Sequence, residues 1–294
     1  MQLAQKGHKV LLLERDPLNS NMAHSTHLIH PEGVARLIKW GLYDSILQRC
    51  KPFKTWSINL HGINLEGIPP AAEGNIEDSI APRRNILDGL LLEGANKSGA
   101  EIRENCRVVA LTFEDGAVTG IRARTKNGHT FTERAQIVIG ADGPASIVAK
   151  CVNAREYKNV PPLQSNIWSY WQNMSINCLK IYVGPRQGAF AFPTSDDAVL
   201  VAANLPYDRF RTVRGQREHH YWDMLATAAP TLYEKTRNAK RIDRFFAGCT
   251  RSFVRETVGR GWALVGDAGM KKDPITAQGI AVAFEYAEKL ATSI

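Results

Sequence analysis

Two aspartates stand where short apolar runs end in glycine: Asp142 after Ile137-Val138-Ile139-Gly140-Ala141, and Asp267 after Trp262-Ala263-Leu264-Val265-Gly266. Each run reads as a buried parallel strand, and an acid at such a strand's carboxyl end lies where open α/β sheets bind ligands. Gly266 lets a ligand approach where a Cβ would collide. Beyond Asp267 come Asp273-Pro274 and Gln278-Gly279, followed by Ile280, Phe284, Ala287 and Ala291 at helical spacing. A helix beginning near Gly279 aims unpaired N–H groups at whatever lies in front, which suits a ligand carrying negative charge. This is chemistry for holding a ligand, and no catalytic triad is evident.

A third acid sits near the start. Leu3 and Ala4 read as the tail of a helix, Gly7 as its C-terminal cap and residues 10–13 as a buried strand ending at Glu14, which is the second half of a βαβ unit. In dinucleotide-binding folds the acid after the second strand accepts hydrogen bonds from the adenosine ribose; otherwise Glu14 is simply a charge after a strand. The preceding strand and its Gly-x-Gly-x-x-Gly turn belong roughly 20 residues upstream of that acid, before Met1, so the chain reads as N-terminally truncated.

The positioning elements follow. A polar loop with Asn19, Ser20, Asn21, His24, His27 and His30 leads into a helix bearing Val34, Leu37 and Ile38 on one face. The three histidines lack a nearby carboxylate pair and end at Pro31, which argues against a metal site and for loop-ordering or ring-facing roles. Residues 53–65 read as strand, turn at His61-Gly62 and strand. Arg84 opens a helix with Leu87, Leu90, Leu91 and Ala95 on its apolar face, a place where a cation is unfavourable unless an anion lies nearby. Asp115-Gly116 and Asn127-Gly128 mark hairpin turns of a β-meander, and Ser146 is placed to cap a helix. From residue 151 to about 255 the pattern becomes antiparallel strands with helices around Tyr221, Trp222 and Leu225, and Trp168, Tyr170, Trp171, Tyr182, Phe190 and Phe192 are candidates for a pocket wall. The expected architecture is α/β: a Rossmann-like domain lacking its first strand and glycine loop, with a meander, from residues 1–52, 75–150 and 256–294. An α+β substrate domain with an antiparallel or mixed sheet would come from 53–74 and 151–255.

The run Gly266-Asp267-Ala268, Asp273-Pro274 and Gln278-Gly279 resembles the second FAD signature of the para-hydroxybenzoate hydroxylase-like flavoproteins, which include aromatic-ring monooxygenases, ubiquinone hydroxylases, geranylgeranyl reductases and flavin halogenases. Asp142-Gly143 resembles the Asp-Gly motif of its NAD(P)H-dependent hydroxylases. The resemblance implies FAD held by Glu14 and Arg15 at the adenosine side, Arg84 near the pyrophosphate, and Val109 through backbone groups at adenine. It also implies Asp142 and Gly143 beside the nicotinamide path, and Gly266, Asp267, Pro274, Gln278, Gly279 and Ile280 along the ribityl chain and flavin. NAD(P)H is then the reductant. The Trp-x-Trp-x-Ile-Pro signature of flavin halogenases is missing, and Trp168-Ser169-Tyr170-Trp171 does not supply it.

With 294 residues, 44% hydrophobic and 22% charged, the chain can bury one large core or two subdomains. A formal charge of +8 suits an anionic cofactor, an acidic substrate or a peripheral membrane surface, but its Lys and Arg are scattered, which makes nucleic acid a poor fit. Five widely spaced cysteines without a Cys-x-x-Cys pair read as free thiols of a cytoplasmic protein. The expected function is NAD(P)H-dependent hydroxylation of an aromatic or polyketide-like small molecule through a flavin C4a-hydroperoxide, with His27 as a candidate for deprotonating a phenol. The alternatives are an isoprenoid reductase of the geranylgeranyl type and a truncated, non-catalytic chain that cannot hold FAD. The oligomeric state is not readable from the sequence.

Overall fold

A computed structural model describes residues 1–18, 25–212 and 215–294. Asn19, Ser20, Asn21 and His24 lie outside the described residues. Strands and helices are numbered along the chain. A parallel pair joins β1 (Leu11–Leu13) to β4 (Glu101–Arg103). A second group holds β8 (Val138–Gly140) parallel to β18 (Trp262–Leu264), with β17 (Val258–Gly259) antiparallel beyond it. Among the described residues, β1 pairs with β4 alone and β8 with β18 alone, so each offers an unpaired edge, and both strands line the same cavity.

Helices close the outside of this layer. α2 (Pro31–Lys39), α4 (Arg84–Lys97) and α9 (Gly279–Ser293) bury Val34, Leu37, Leu87 and Phe284 in one cluster, together with Ile46 of α3 (Tyr43–Leu47). The short α1 (Gln2–Gln5) ends at Gly7, whose φ of 88° is the left-handed turn glycine adopts at no steric cost. The meander β5 (Cys106–Glu114), β6 (Ala117–Thr125) and β7 (Thr130–Arg134) turns at Asp115-Gly116 and Asn127-Gly128 as the sequence predicts. Its Leu111, Val118 and Ile121 pack against Val138, Leu264 and α5 (Ile147–Cys151).

The second layer is an eight-stranded sheet. It contains β10 (Gln164–Gln172), β11 (Leu179–Gly184), β12 (Gln187–Pro193) and β13 (Val199–Pro206), with β14 (Lys240–Arg241) and β15 (Phe246–Cys249) both on β10. Residues far earlier in the chain extend it, because β2 (Trp56–Leu60) joins β11 in parallel and carries β3 (Ile63–Gly67) as the outer edge. α6 (Tyr207–Thr212), α7 (Arg217–Ala228) and α8 (Pro230–Arg237) follow β13, and Tyr221, Leu225 and Leu232 of α7 and α8 cover one face of the sheet. The other face looks into the cavity. A three-stranded ribbon links the layers: β9 (Glu156–Val160) and β19 (Met270–Lys271) flank β16 (Ser252–Arg255).

Candidate cofactor and substrate site

A cavity of about 3510 Å³ separates the two layers. Small-molecule pockets run to about 300–1,000 Å³, so this one has room for a dinucleotide together with a substrate. All thirteen residues singled out above line it: Glu14, Arg15, His27, Arg84, Val109, Asp142, Gly143, Gly266, Asp267, Pro274, Gln278, Gly279 and Ile280.

One end of the cavity is built from β1 and the meander. A carboxylate oxygen of Glu14 accepts the backbone N–H of Asp16 at 3.0 Å, which tucks the turn after β1, and the exposed Arg15 pairs with Asp16. Val109 stands out by its backbone: the β5–β6 register steps from Val108 to Ala110 and takes the residue between them out of the ladder. A bulge of this kind leaves backbone groups available to a ligand. Arg84 at the start of α4 donates to Asp88 Oδ1 at 2.8 Å, so the anion expected beside this cation is supplied by its own helix one turn on.

The two Gly-Asp loops differ in what their acids do. Asp142 Oδ2 accepts the N–H of Ile147 at 2.7 Å and Ser146 Oγ that of Ala149 at 3.0 Å, so both satisfy the first turn of α5. Asp142→Ala is expected to cost about 1 kcal/mol, read as a lower urea midpoint with an unchanged slope. Asp267 instead pairs with Lys271. Gly266 holds φ at 56°, and Ala277 at 50° turns the chain from the Pro274–Thr276 turn into α9. Asp273 locks that turn by accepting from Ile275 N at 3.0 Å and from Gln164 of β10 at 2.7 Å. His30 Nε2 bonds the Thr276 carbonyl at 2.8 Å, tying the start of α2 to the same loop.

Sequence patterns gave no sign of the residue that joins the loops. Arg255 in β16 is buried, and its guanidinium donates to the Ala268 carbonyl at 2.9 Å, the Pro144 carbonyl at 3.1 Å and Glu156 at 2.8 Å. It also lies 4.3 Å from the centre of the Phe253 ring. One side chain thus holds both Gly-Asp loops at once. The paired guanidiniums of Arg251 and Arg255 hold the Glu156 carboxyl down to about 2.

His27 departs from its expected part. Its φ is 49°, its ring is buried and stacked on Tyr170 at 5.7 Å, Nδ1 meets the Ser25 carbonyl at 3.2 Å and Nε2 the Thr194 hydroxyl at 3.1 Å. Burial pulls its pKa down to about 3, opposed by the Ser25 bond and aided by Arg83 and Arg84. The expectation of an imidazole titrating near neutrality is therefore corrected: with both nitrogens engaged and the ring neutral, His27 orders the loop.

On the substrate side, strand register decides which aromatics face the cavity. Phe190 opposes Ala202, which opposes Trp168, and Ile181 opposes Phe190, so these side chains share one face of the sheet. Trp168, Phe190 and Phe192 line the cavity, as does Trp56 of β2, which no motif in the sequence marks, whereas Tyr182, next along from Ile181, turns to the opposite face and meets Thr231 of α8. Tyr170 is instead stacked on His27, and Trp171 is packed into the opposite core against Tyr221.

Parallel strands ending in acids, a helix N-terminus aimed across a cavity and a bulged meander define a dinucleotide-binding α/β protein. The chain belongs to the FAD binding domain family, which matches it over residues 1–294. It is 29% identical to a digeranylgeranylglycerophospholipid reductase of Methanosarcina acetivorans, over 67% of this chain and 48% of that protein. It is 23% identical to a 6-methylpretetramide 4-monooxygenase of Streptomyces rimosus, over 97% of this chain and 69% of the other. The chain spans about half the length of the first of these relatives. The flavin-dependent brominase Bmp2 shares its fold, with a TM-score of 0.87 at 17% identity over 99% of this chain and 73% of that one.

The residues present fit FAD. A Cβ added at Gly143 or Gly279 would meet nothing within 4 Å, so both backbones stand bare at the cavity wall. Glu14 and Asp267 would offer carboxylates to the sugar and ribityl hydroxyls of such a group, and the α9 N-terminus would offer it positive potential.

Proposed function

We propose that this chain is an FAD-dependent oxidoreductase that takes hydride from NAD(P)H and hydroxylates an aromatic or polyketide-like small molecule. One observation carries the reading: a single cavity joins the dinucleotide side, with Glu14, Asp142 and Asp267, to a wall of Trp56, Trp168, Phe190 and Phe192. Bound FAD supplies the redox chemistry, accepting hydride and passing electrons on. The chain's own residues hold, orient and exclude water. Flat indole and phenyl faces favour an unsaturated or aromatic substrate stacked on them. His27 and Tyr170, whose phenol is pushed up to about 12 by burial, are themselves neutral behind that wall, and the guanidinium of Arg83 over the Tyr170 ring is paired with Asp243.

A second reading, reduction of isoprenoid double bonds, is favoured by the likeness to the Methanosarcina acetivorans reductase and by the apolar character of the wall. Oxygen separates the two. The purified chain, supplied with FAD and NAD(P)H, is expected to retain yellow flavin in stoichiometric amount and to consume oxygen in step with NAD(P)H when an aromatic substrate is present. Turnover that persists without oxygen and yields a saturated product would favour the reductase. Failure to retain flavin would overturn both.

A further inference from the structure

The cavity-facing side of the eight-stranded sheet does not stop at the cavity. Val183 of β11 lines the cavity and pairs with Leu60 of β2, and Leu60 pairs with Ile63 of β3. One step inward, Ile181 pairs with Ile58, and Ile58 with Leu65. Directly paired residues share a face, so the apolar wall runs from Phe190 and Ile181 out to the edge strand with no polar side chain on the way. The outer members are open: Val183 is 40% exposed, Leu60 41%, Leu65 54% and Ile63 63%. The reverse face of the same strands is polar, with Ser57 opposite Glu66 and Asn59 opposite Asn64. Ile68, also exposed, and Pro69 and Pro70 follow β3, the two prolines lining the cavity.

An edge hairpin with one polar and one bare apolar face is a surface meant to be covered. Three things bear on what covers this face. It opens directly into the substrate end of the cavity. Arg186, exposed on the cavity rim at the adjacent β11–β12 turn, is paired with the equally exposed Asp208, a solvent-screened contact that a phosphate headgroup can replace. The chain as a whole carries +8, which draws it toward an anionic surface.

We infer that the β2–β3 hairpin is a contact surface for an anionic lipid bilayer, with its apolar face dipped among the acyl chains so that an apolar substrate passes from the bilayer into the cavity. The inference concerns where substrate enters and stands whether the reaction is hydroxylation or reduction. Its test uses neither flavin nor turnover. The whole chain is sedimented with vesicles of phosphatidylglycerol and of phosphatidylcholine, and the double variant I63E/L65E is run beside it, with sedimentation velocity of both proteins in the absence of lipid. Residues 63 and 65 are exposed on an edge strand, so the variant is expected to keep the circular dichroism of the parent. The expected result is binding to phosphatidylglycerol, weaker binding to phosphatidylcholine, and a loss of about tenfold or more in partitioning for the variant. For the parent protein, quenching of tryptophan fluorescence by brominated lipid, through Trp56 at the inner end of the hairpin, provides a readout that does not depend on the variant's folding. Binding that the variant leaves unchanged, or no binding with no quenching, overturns the inference. So does a parent that sediments as a dimer and a variant that sediments as a monomer, since the face would then belong to a second copy of the chain.

Discussion

Arg255→Met is expected to destabilise the protein by about 3–5 kcal/mol and to loosen both cofactor loops together. The magnitude is that of breaking a buried ion pair while leaving its partners unsatisfied. Arg255 is buried, and its loss strands the carbonyls of Ala268 and Pro144 as well as one side of Glu156. Arg251 keeps two bonds to Glu156, at 2.6 and 2.8 Å, so the carboxylate is not left wholly unpaired and the cost should fall toward the lower end. Urea unfolding gives the stability. Flavin titration of the variant should show weaker FAD binding by about tenfold or more, because preorganised loops are what make binding inexpensive in entropy. Glu156→Gln completes a double-mutant cycle, and a coupling energy near zero between the two positions would show that the pair does not act as a unit.

The second large effect is expected in acid. His27 has a folded-state pKa of about 3 against 6.5 in the unfolded chain. Between those values the unfolded state binds the proton and the folded state does not. The stabilisation is therefore fully present above pH 6.5 and is lost as pH falls toward 3, at a limiting slope of about 1.4 kcal/mol per pH unit. Urea midpoints taken from pH 7.5 down to 5 isolate this group from Glu156, whose depressed pKa of about 2 withdraws stability only below its ordinary value near 4.5. Asparagine tolerates the left-handed backbone that His27 adopts, so His27→Asn should remove most of the slope between pH 6.5 and 5 without a backbone penalty. An unchanged slope in that variant would mean that another group is responsible. The same variant should leave the shape of the pH–rate profile unaltered, since an imidazole whose two nitrogens are both hydrogen-bonded within the protein and whose pKa is about 3 does not titrate in the assay range.

Much of the frame was readable from short stretches of chain. Gly7, Gly41 and Gly99 end helices with φ of 88°, 69° and 92°, and Asp115-Gly116 turns a hairpin with both residues at positive φ. Asp142 and Asp267 fall at strand ends facing the cavity, and α9 begins at Gly279. Such features depend on four or five consecutive residues: which of them tolerates positive φ, which can cap, and where an apolar run stops.

Other features belong to the folded chain alone. Arg255 and Glu156 are 99 residues apart, and nothing near either one marks it as the tie between two loops. The expected anion for Arg84 proved to be Asp88 of the same helix, while the acid at the end of the last parallel strand is met by Lys271. His27 looked like a titrating base until Thr194, 167 residues away, and Tyr170 enclosed it. Trp168 and Trp171 look alike in sequence and end on opposite faces of one sheet, because side chains alternate along a strand and register chooses the face. Conformational preference is a local property, so the chain's order of acids, glycines and apolar runs was enough to specify a dinucleotide-binding fold and the edge of its site. Burial, pairing and pKa are set by neighbours that only folding brings together, and they decided which of those residues are free to face the cavity, which hold the protein, and where the apolar wall opens to the outside.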